Sequence, residues 1–571
     1  GEDTVDGRGG AIYVKGGVDN ALVVYDSVFE NNIAYLDGGA IGLHGSPDLE
    51  VYGSVFTSNV ADDGGAVYGD GDIDITDSIF ISNIAADDGG AIFGDNDVYV
   101  TDSHFTSNTA GDEGGAIEAT SGDVYVTNSL FTTNTAVYGG AIYAFYIEVK
   151  NGSSFLGNRA IRDEEGEGGR GGALHTYEDG EGLNLRESQF QGNTAESQGG
   201  ALFLAEDSSD IRTSTFLDNR VTSADDTARG GAICALDGDL DVEESYFSNN
   251  FASSGGGLWV SKSIGNSEII NSAFVGNDAS GFGAGLYAKS DDSAWIRLEG
   301  SSFVRNGDDT APQSGGGLSV IGDSTESFIT SSTVWGNRAK FRGAGMSWNN
   351  ERSASSPEDI LQLSYLTVVD NEILDGNPAS PKNWGAGILF EKGDPEVYLV
   401  NSIVYGNTVN DDTFNDIGFA TARNGITLAE NLFTSDTSWV AGSYSNLIVG
   451  DPLLGELGDS GGPRIGAGGA YYLPTARPAW NSPVIVENSL TTRLPVPYDV
   501  DQLGAMRGSP AVLGAVLNSA RPPSPTPVVP PSAPLSVSGV GGDAEATITW
   551  SAPASSGSFP VSRYQAVVSP G

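Results

Sequence analysis

Gly89-Gly90-Ala91-Ile92, followed by Asp97-Val98-Tyr99-Val100-Thr101-Asp102-Ser103-His104-Phe105-Thr106-Ser107-Asn108, is the stretch that decides the fold. Apolar and polar residues alternate through its middle with a period of two, the signature of short strands that bury one face. The alternation recurs at Asp72 to Phe80 and at Asp123 to Phe131. Working outward, a Gly-[Gly/Ala]-[Ala/Gly]-apolar motif begins at Gly9, Gly38, Gly64, Gly89, Gly114, Gly139, Gly171, Gly199, Gly230, Gly255, Gly283, Gly315, Gly343 and Gly385. A second motif, [Phe/Val]-x-x-Asn, runs in step with it from Asn32 to Asn407, with a degenerate further copy from Phe433 to Asp436.

A repeat of 24 to 27 residues with two or three short strands, no helical period and glycine at fixed corners is too short for a propeller blade. It fits one turn of a parallel β-helix. Turns stacked about 4.8 Å apart bring equivalent residues into columns along the axis. The expected interior column is Phe29, Phe56, Phe80, Phe105, Phe131, Phe155, Phe190, Phe216, Phe247, Phe274 and Phe303, continued by Val334, Val368 and Val404. Beside it the asparagines would form an amide ladder that satisfies the backbone of a turn.

The pairing of GGAI at Gly89 with FTSN at Phe105 resembles the repeat of the chlamydial polymorphic outer-membrane proteins and related bacterial right-handed β-helix surface proteins. The resemblance implies an all-β, single-stranded, right-handed parallel β-helix of about 15 rungs, over residues 1–436. Residues 437–518 contain Asp451-Pro452-Leu453-Leu454-Gly455, Asp459-Ser460-Gly461-Gly462-Pro463, Ser482-Pro483, Asp501-Gln502-Leu503-Gly504 and Val512-Leu513-Gly514-Ala515-Val516. They resemble the closing segment of secreted bacterial β-helix proteins, which implies a cap on the open end. Residues 519–531 are a Pro-rich spacer of extended character. In residues 532–571, Ala546-Thr547-Ile548-Thr549-Trp550 and Tyr564-Gln565-Ala566-Val567 resemble the opening strands of a fibronectin type III domain, cut short.

Composition bounds the partners. The 571 residues carry 27 Lys and Arg against 76 Asp and Glu, a net charge of −49. Nucleic acid and anionic membrane surfaces are held through Lys and Arg, so both are set aside. With 39% hydrophobic and 9% aromatic residues the chain has the material for a large core. No apolar run is long enough to span a bilayer and no segment reads as a signal peptide. The start at Gly1 reads as a piece cut from a longer precursor. The single cysteine, Cys234, has no partner for a disulfide or CxxC site and reads as a small buried hydrophobe.

Parallel β-helices also include pectate lyases and polygalacturonases, so catalysis has to be weighed on residues. The lyases need a basic residue beside calcium-binding carboxylates, but residues 16–149 contain no Lys or Arg against 22 Asp or Glu. The polygalacturonase signatures Asn-Thr-Asp, Gly-His-Gly and Arg-Ile-Lys are missing from the chain. His44, His104 and His175 are too scattered for a metal triad or a Ser-His-Asp site.

Two acidic columns stand out. One precedes the glycine corner: Asp37, Asp62 with Asp63, Asp87 with Asp88, and Asp112 with Glu113. The other follows the next strand: Asp70 with Asp72, Asp95 with Asp97, and Asp123, echoed at Asp237 and Asp239. Stacked carboxylates either splay into water or hold a hard cation, and calcium suits such oxygen-rich turns. The expected calcium set is Asp62, Asp63, Asp87, Asp88, Asp112 and Glu113; the alternative is a solvated face built from good turn residues. The corner between the asparagine and the next glycine expands at Arg159 to Arg170, Arg220 to Arg229, Gly307 to Ser314 and Glu372 to Trp384. Insertions at one corner would project from one edge, which makes Arg162, Arg170, Arg220, Arg229 and Trp384 candidate contacts for a partner. The leading expectation is an extracellular, secreted or surface-attached adhesin-like stalk that binds a glycan or protein through these loops and does not catalyse. Its rivals are a carbohydrate-active hydrolase or lyase with the pectin-lyase-like fold, and a surface-layer spacer of a salt-adapted microbe.

Overall fold

The computed structural model describes residues 7–16, 21–177, 180–205, 208–262, 265–290, 295–307, 311–322, 326–350, 360–375, 384–391, 396–410, 413–420, 428–435, 443–479, 481–486, 501–503, 511–512, 514–516, 535–541 and 546–551. The chain forms two compact units, Gly1–Asn518 and Ser519–Gly571. The first is an all-β parallel solenoid of about 13 turns. Among the described residues the one helical element is the 3-10 turn Ala467–Gly469.

One rung shows how the pattern makes the shape. In strand Val98–Thr101, Val98 and Val100 point inward while Tyr99 points out. Ile92 closes one interior wall and Phe105 another, both without exposed surface. Each strand pairs in parallel with its equivalent one turn away: Phe80 faces Phe105 and Phe105 faces Phe131. The rings stack 4.8 Å apart within a few degrees of parallel, at the spacing that β-pairing imposes. The asparagine ladder lies beside them. Asn83 Nδ2 donates to Asn108 Oδ1 at 2.9 Å, and so does the backbone N–H of Asn83, at 3.0 Å. Asn108 Nδ2 in turn donates to the Phe80 carbonyl and to Asn134 Oδ1. A second ladder was not anticipated: the Ser78 N–H donates to Ser103 Oγ and the Ser103 N–H to Ser129 Oγ, both at 3.0 Å. Its sequence signal is the serine two positions before each Phe.

Three expectations need correction. The turns number about 13, not about 15. The asparagine ladder stops at Asn407, whose Nδ2 and backbone N–H both donate to Asp416 Oδ1. Past that point Ile403 pairs with Phe433 and Val404 with Thr434, so Phe433 is one residue out of step with the interior column. Asp436 lies outside the described residues.

Nor does the segment from Asp451 onward simply close the open end. It folds back along the flank. The hairpin of Gly458–Ile465 and Tyr471–Thr475 stacks Tyr471 on Tyr246 at 3.9 Å, and the Ser302 hydroxyl donates to the Pro474 carbonyl at 2.7 Å. Gln502 Nε2 donates to the Ser301 carbonyl and to Ser302 Oγ, while Thr333 Oγ1 donates to its Oε1. The Ala515 N–H donates to Thr367 Oγ1. Between Tyr246 and Ile403 the outward column that receives this strap is small or hydroxylated, with Ala273, Ser302, Thr333 and Thr367 all buried, so a second chain can approach its backbone. In the second unit, Leu535–Gly541 and Ala546–Ser551 form an antiparallel hairpin. The Trp550 side chain and Tyr564 lie outside what is described.

Candidate functional site

The face that carries the glycine corners holds two adjoining columns. The residue before each corner glycine forms one, bridged in parallel from Asp37 to Asp63, from Glu113 to Tyr138, and on through Arg170, Gln198, Arg229 and Ser254. The first outward residue of the following strand forms the other. It runs Tyr68, Phe93, Glu118, Tyr143, His175, Phe203, Cys234, Trp259 and Tyr287 in strict register. These side chains point away from the interior and are still largely buried, because the two columns pack on each other. Phe93, Glu118, Tyr143, His175, Phe203, Cys234 and Trp259 are all 9% exposed or less.

At its N-terminal end this face is acidic. The carboxylates of Asp63, Asp87 and Asp88 come together, and so do those of Asp88, Glu113 and Glu118, each group with oxygens within 4.8 Å of one another. Asp88 Oδ1 accepts the Glu113 N–H at 3.0 Å, which fixes its position across one rung. Tyr177 reaches back from two turns away, its hydroxyl 3.2 Å from Glu118 Oε1 and 3.4 Å from Glu113 Oε2. Burial is the chief cause that raises these carboxyls. It lifts Asp63 to about 6, Asp88 and Glu113 to about 7 and Glu118 to about 9, with neighbouring carboxylates adding to the effect. Of the residues expected from the sequence, Asp63, Asp87, Asp88 and Glu113 are thus brought together, while Asp62 is exposed and, like Asp112, stands outside both groups. Glu118 escaped notice because it falls at an aromatic position of a different column; the visible signal was a lone acid where other repeats carry Tyr, Phe or His.

The second acidic column has a different occupation. Asp48 Oδ1 accepts the Asp72 N–H and Asp97 Oδ1 the Asp123 N–H. The hydroxyls of Tyr99 and Tyr125 donate to Asp97 and Asp123. These carboxylates cap turns.

Further along, the face turns from acidic to aromatic and basic. Arg170 lies over Phe203, Arg220 over Phe251 and Arg229 over Trp259, with 4.7 Å from the last guanidinium to the indole centroid. Arg162 reaches Asp225 at 3.3 Å, tying the first insertion to the second. Trp384 is a correction: it does not project as a contact but packs against Ala339, Ala344, Ile373, Ala386 and Val409. Its indole is too large an apolar surface to leave in water when a pocket of small residues lies beneath it. Between the second and third insertions lies a cavity of about 680 Å³, lined by Asp226, Arg229, Trp259, Tyr287, Lys289 and Gln313 together with Ser253, Ser254, Ser261 and Ser280. His44 bridges Asp37 and Asp70, His104 is exposed on the flank, and His175 is buried among Tyr138, Tyr143 and Phe203.

Comparison with known proteins agrees with this architecture. Residues 172–433 match the model of the right handed beta helix region, and residues 77–95 match the Chlamydia polymorphic membrane protein repeat. Neither a curated protein nor a solved structure matches the chain. The chain is a parallel β-helix, similar to right-handed β-helix regions over residues 172–433 and, at residues 77–95, to the repeat of the chlamydial polymorphic membrane proteins.

Proposed function

We propose that this chain is the β-helical stalk of a secreted or cell-surface adhesin, and that it binds an extracellular glycan in the cavity between its insertions. The observation that carries this reading is the cavity itself: about 680 Å³, within the usual range for a ligand pocket, and bordered by two of the loops that interrupt the regular repeat. Four serine residues, the Gln313 amide, Arg229 and Lys289 offer hydrogen bonds, and Trp259, Phe282 and Tyr287 supply apolar contact. That mixture suits a hydroxyl-rich ligand with apolar patches. Arg229 and Lys289 bring positive charge to a chain of net charge −49, which favours saccharides bearing carboxylate. The surface location rests on the similarity to the polymorphic membrane protein repeat. Glycoside hydrolysis usually needs two carboxyls flanking the scissile bond, and among the described residues Asp226 is the one carboxylate in the lining.

Binding of the purified chain to immobilised acidic and neutral saccharides tests the proposal. Retention on a saccharide, weakened about tenfold or more by Arg229→Ala or Lys289→Ala, is the expected outcome; lost charged hydrogen bonds of about 1.5–3 kcal/mol correspond to that factor. Release of reducing or unsaturated ends would replace the adhesin by the enzyme. Binding to peptides alone would make the ligand a protein.

A further inference from the structure

We infer that Asp88, Glu113 and Glu118 form a binding site for one calcium ion. Three successive pieces of backbone deliver these carboxylates from two adjacent turns, and their oxygens lie within 4.8 Å of one another. Calcium takes its oxygen ligands at about 2.3–2.6 Å, so oxygens sharing one ion stand at most about 5 Å apart. The cluster already meets that condition.

A group of acids on a surface would not by itself carry the inference; Glu118 does. Its side chain is 2% exposed, and it stands in a column between Phe93 and Tyr143. Oε1 is held by the Tyr177 hydroxyl and by Thr120 Oγ1 at 3.3 Å. Oε2 is buried and no hydrogen-bond donor reaches it. A buried carboxylate oxygen without a donor is costly, and the Glu118 carboxylate stands beside two more in a stretch of sequence, 16–149, that holds no Lys or Arg. A divalent cation satisfies all three groups at once, with water and carbonyl oxygens completing a shell of six to eight. Tyr177, donating to Glu113 and Glu118, would act as a positioning residue that orients the two ligands. The competing arrangement is a proton shared between Glu113 and Glu118, which satisfies Oε2 without a metal.

Terbium, a luminescent substitute for calcium, separates the two, because Tyr143 and Tyr177 lie close enough to sensitise its emission. The full chain, stripped with chelator and held at neutral pH, should show saturable tyrosine-sensitised emission that calcium displaces better than magnesium at equal ionic strength. Glu118→Gln and Glu113→Gln should each weaken terbium binding about tenfold or more, while Asp62→Asn, on the exposed neighbour outside the cluster, should leave it unchanged. Thermal unfolding of the stripped protein gives a second readout that needs no variant: calcium should raise the midpoint more than magnesium does. No saturable emission, or equal weakening by Asp62→Asn and Glu118→Gln, overturns the proposal and leaves the shared proton or a diffuse acidic face. The test is independent of the glycan reading, since the cavity lies several turns away and saccharide binding can fail while terbium binding holds.

Discussion

Each interior position meets its own kind above and below, so a single side chain is stabilised by a column. Phe105 stacks between Phe80 and Phe131 with no exposed surface. Phe105→Ala should therefore cost about 3–5 kcal/mol, as large-to-small changes at aromatic core sites do, measured as an earlier denaturant midpoint for the turns around it. His175 makes a different prediction. Burial, aided by the nearby Arg170 charge, holds its imidazole well below the ordinary value of 6.5, so the native state keeps it neutral. The folded state then binds fewer protons than the unfolded state below about pH 6.5. Its contribution is fully present above that value and is lost as pH falls through it, by up to about 1.4 kcal/mol per pH unit. His175→Phe, which places in this turn the residue found at 203 in the next, should remove that part of the slope. An unchanged pH profile in the variant would mean that the imidazole is protonated in the fold or open to water.

At the level of the element, a rung is three short strands joined by corners whose backbone runs left-handed. Asp102 and Ser107 occupy such conformations, with φ of 50° and 57°, which short polar residues tolerate. Gly114 is more constrained. Its φ is +59° and an added Cβ would lie 2.3 Å from the Ile117 carbonyl oxygen. Gly152, at φ +80°, would place its Cβ with nothing within 4 Å. Gly152→Ala should cost about 1–2 kcal/mol, the left-handed penalty alone. Gly114→Ala should cost clearly more, because the corner must also shift against its own strand. Equal losses in thermal denaturation would show that the corner yields without cost. The corners also explain why the motifs could be read so directly: glycine is required by the local backbone and asparagine by its hydrogen bonds to the next turn, and both requirements repeat.

Across the whole molecule, solenoid turns touch only their neighbours, so stability is distributed along the axis. The strap breaks that rule by joining turns far apart in sequence. Tyr471 contacts Tyr246, Gln502 contacts Ser301, Ser302 and Thr333, and Ala515 contacts Thr367. Truncation after residue 449 should leave the turns before Thr215 unchanged while hydrogen exchange accelerates at Ala273, Phe303 and Val334, whose flank the strap covers. Uniform protection in the truncated chain would mean that the strap adds nothing to stability.

The sequence by itself determined the turn of the helix, its interior phenylalanine column, its asparagine ladder and its glycine corners, because each answers to a requirement met within one rung and renewed in the next. It also marked Asp63, Asp87, Asp88 and Glu113 as neighbours, since one repeat of spacing is one step of about 4.8 Å. What depends on two columns meeting side by side was decided by the tertiary structure alone. Glu118 joins Asp88 and Glu113 although it belongs to another column, and Trp384 turns into an apolar pocket of Ala339, Ala344, Ile373, Ala386 and Val409 instead of outward. The path of residues 451–516 was likewise open until small and hydroxylated residues on the flank, far away in sequence, offered that segment a surface to cover. A repeat specifies contacts along the axis; contacts around it depend on how one turn closes.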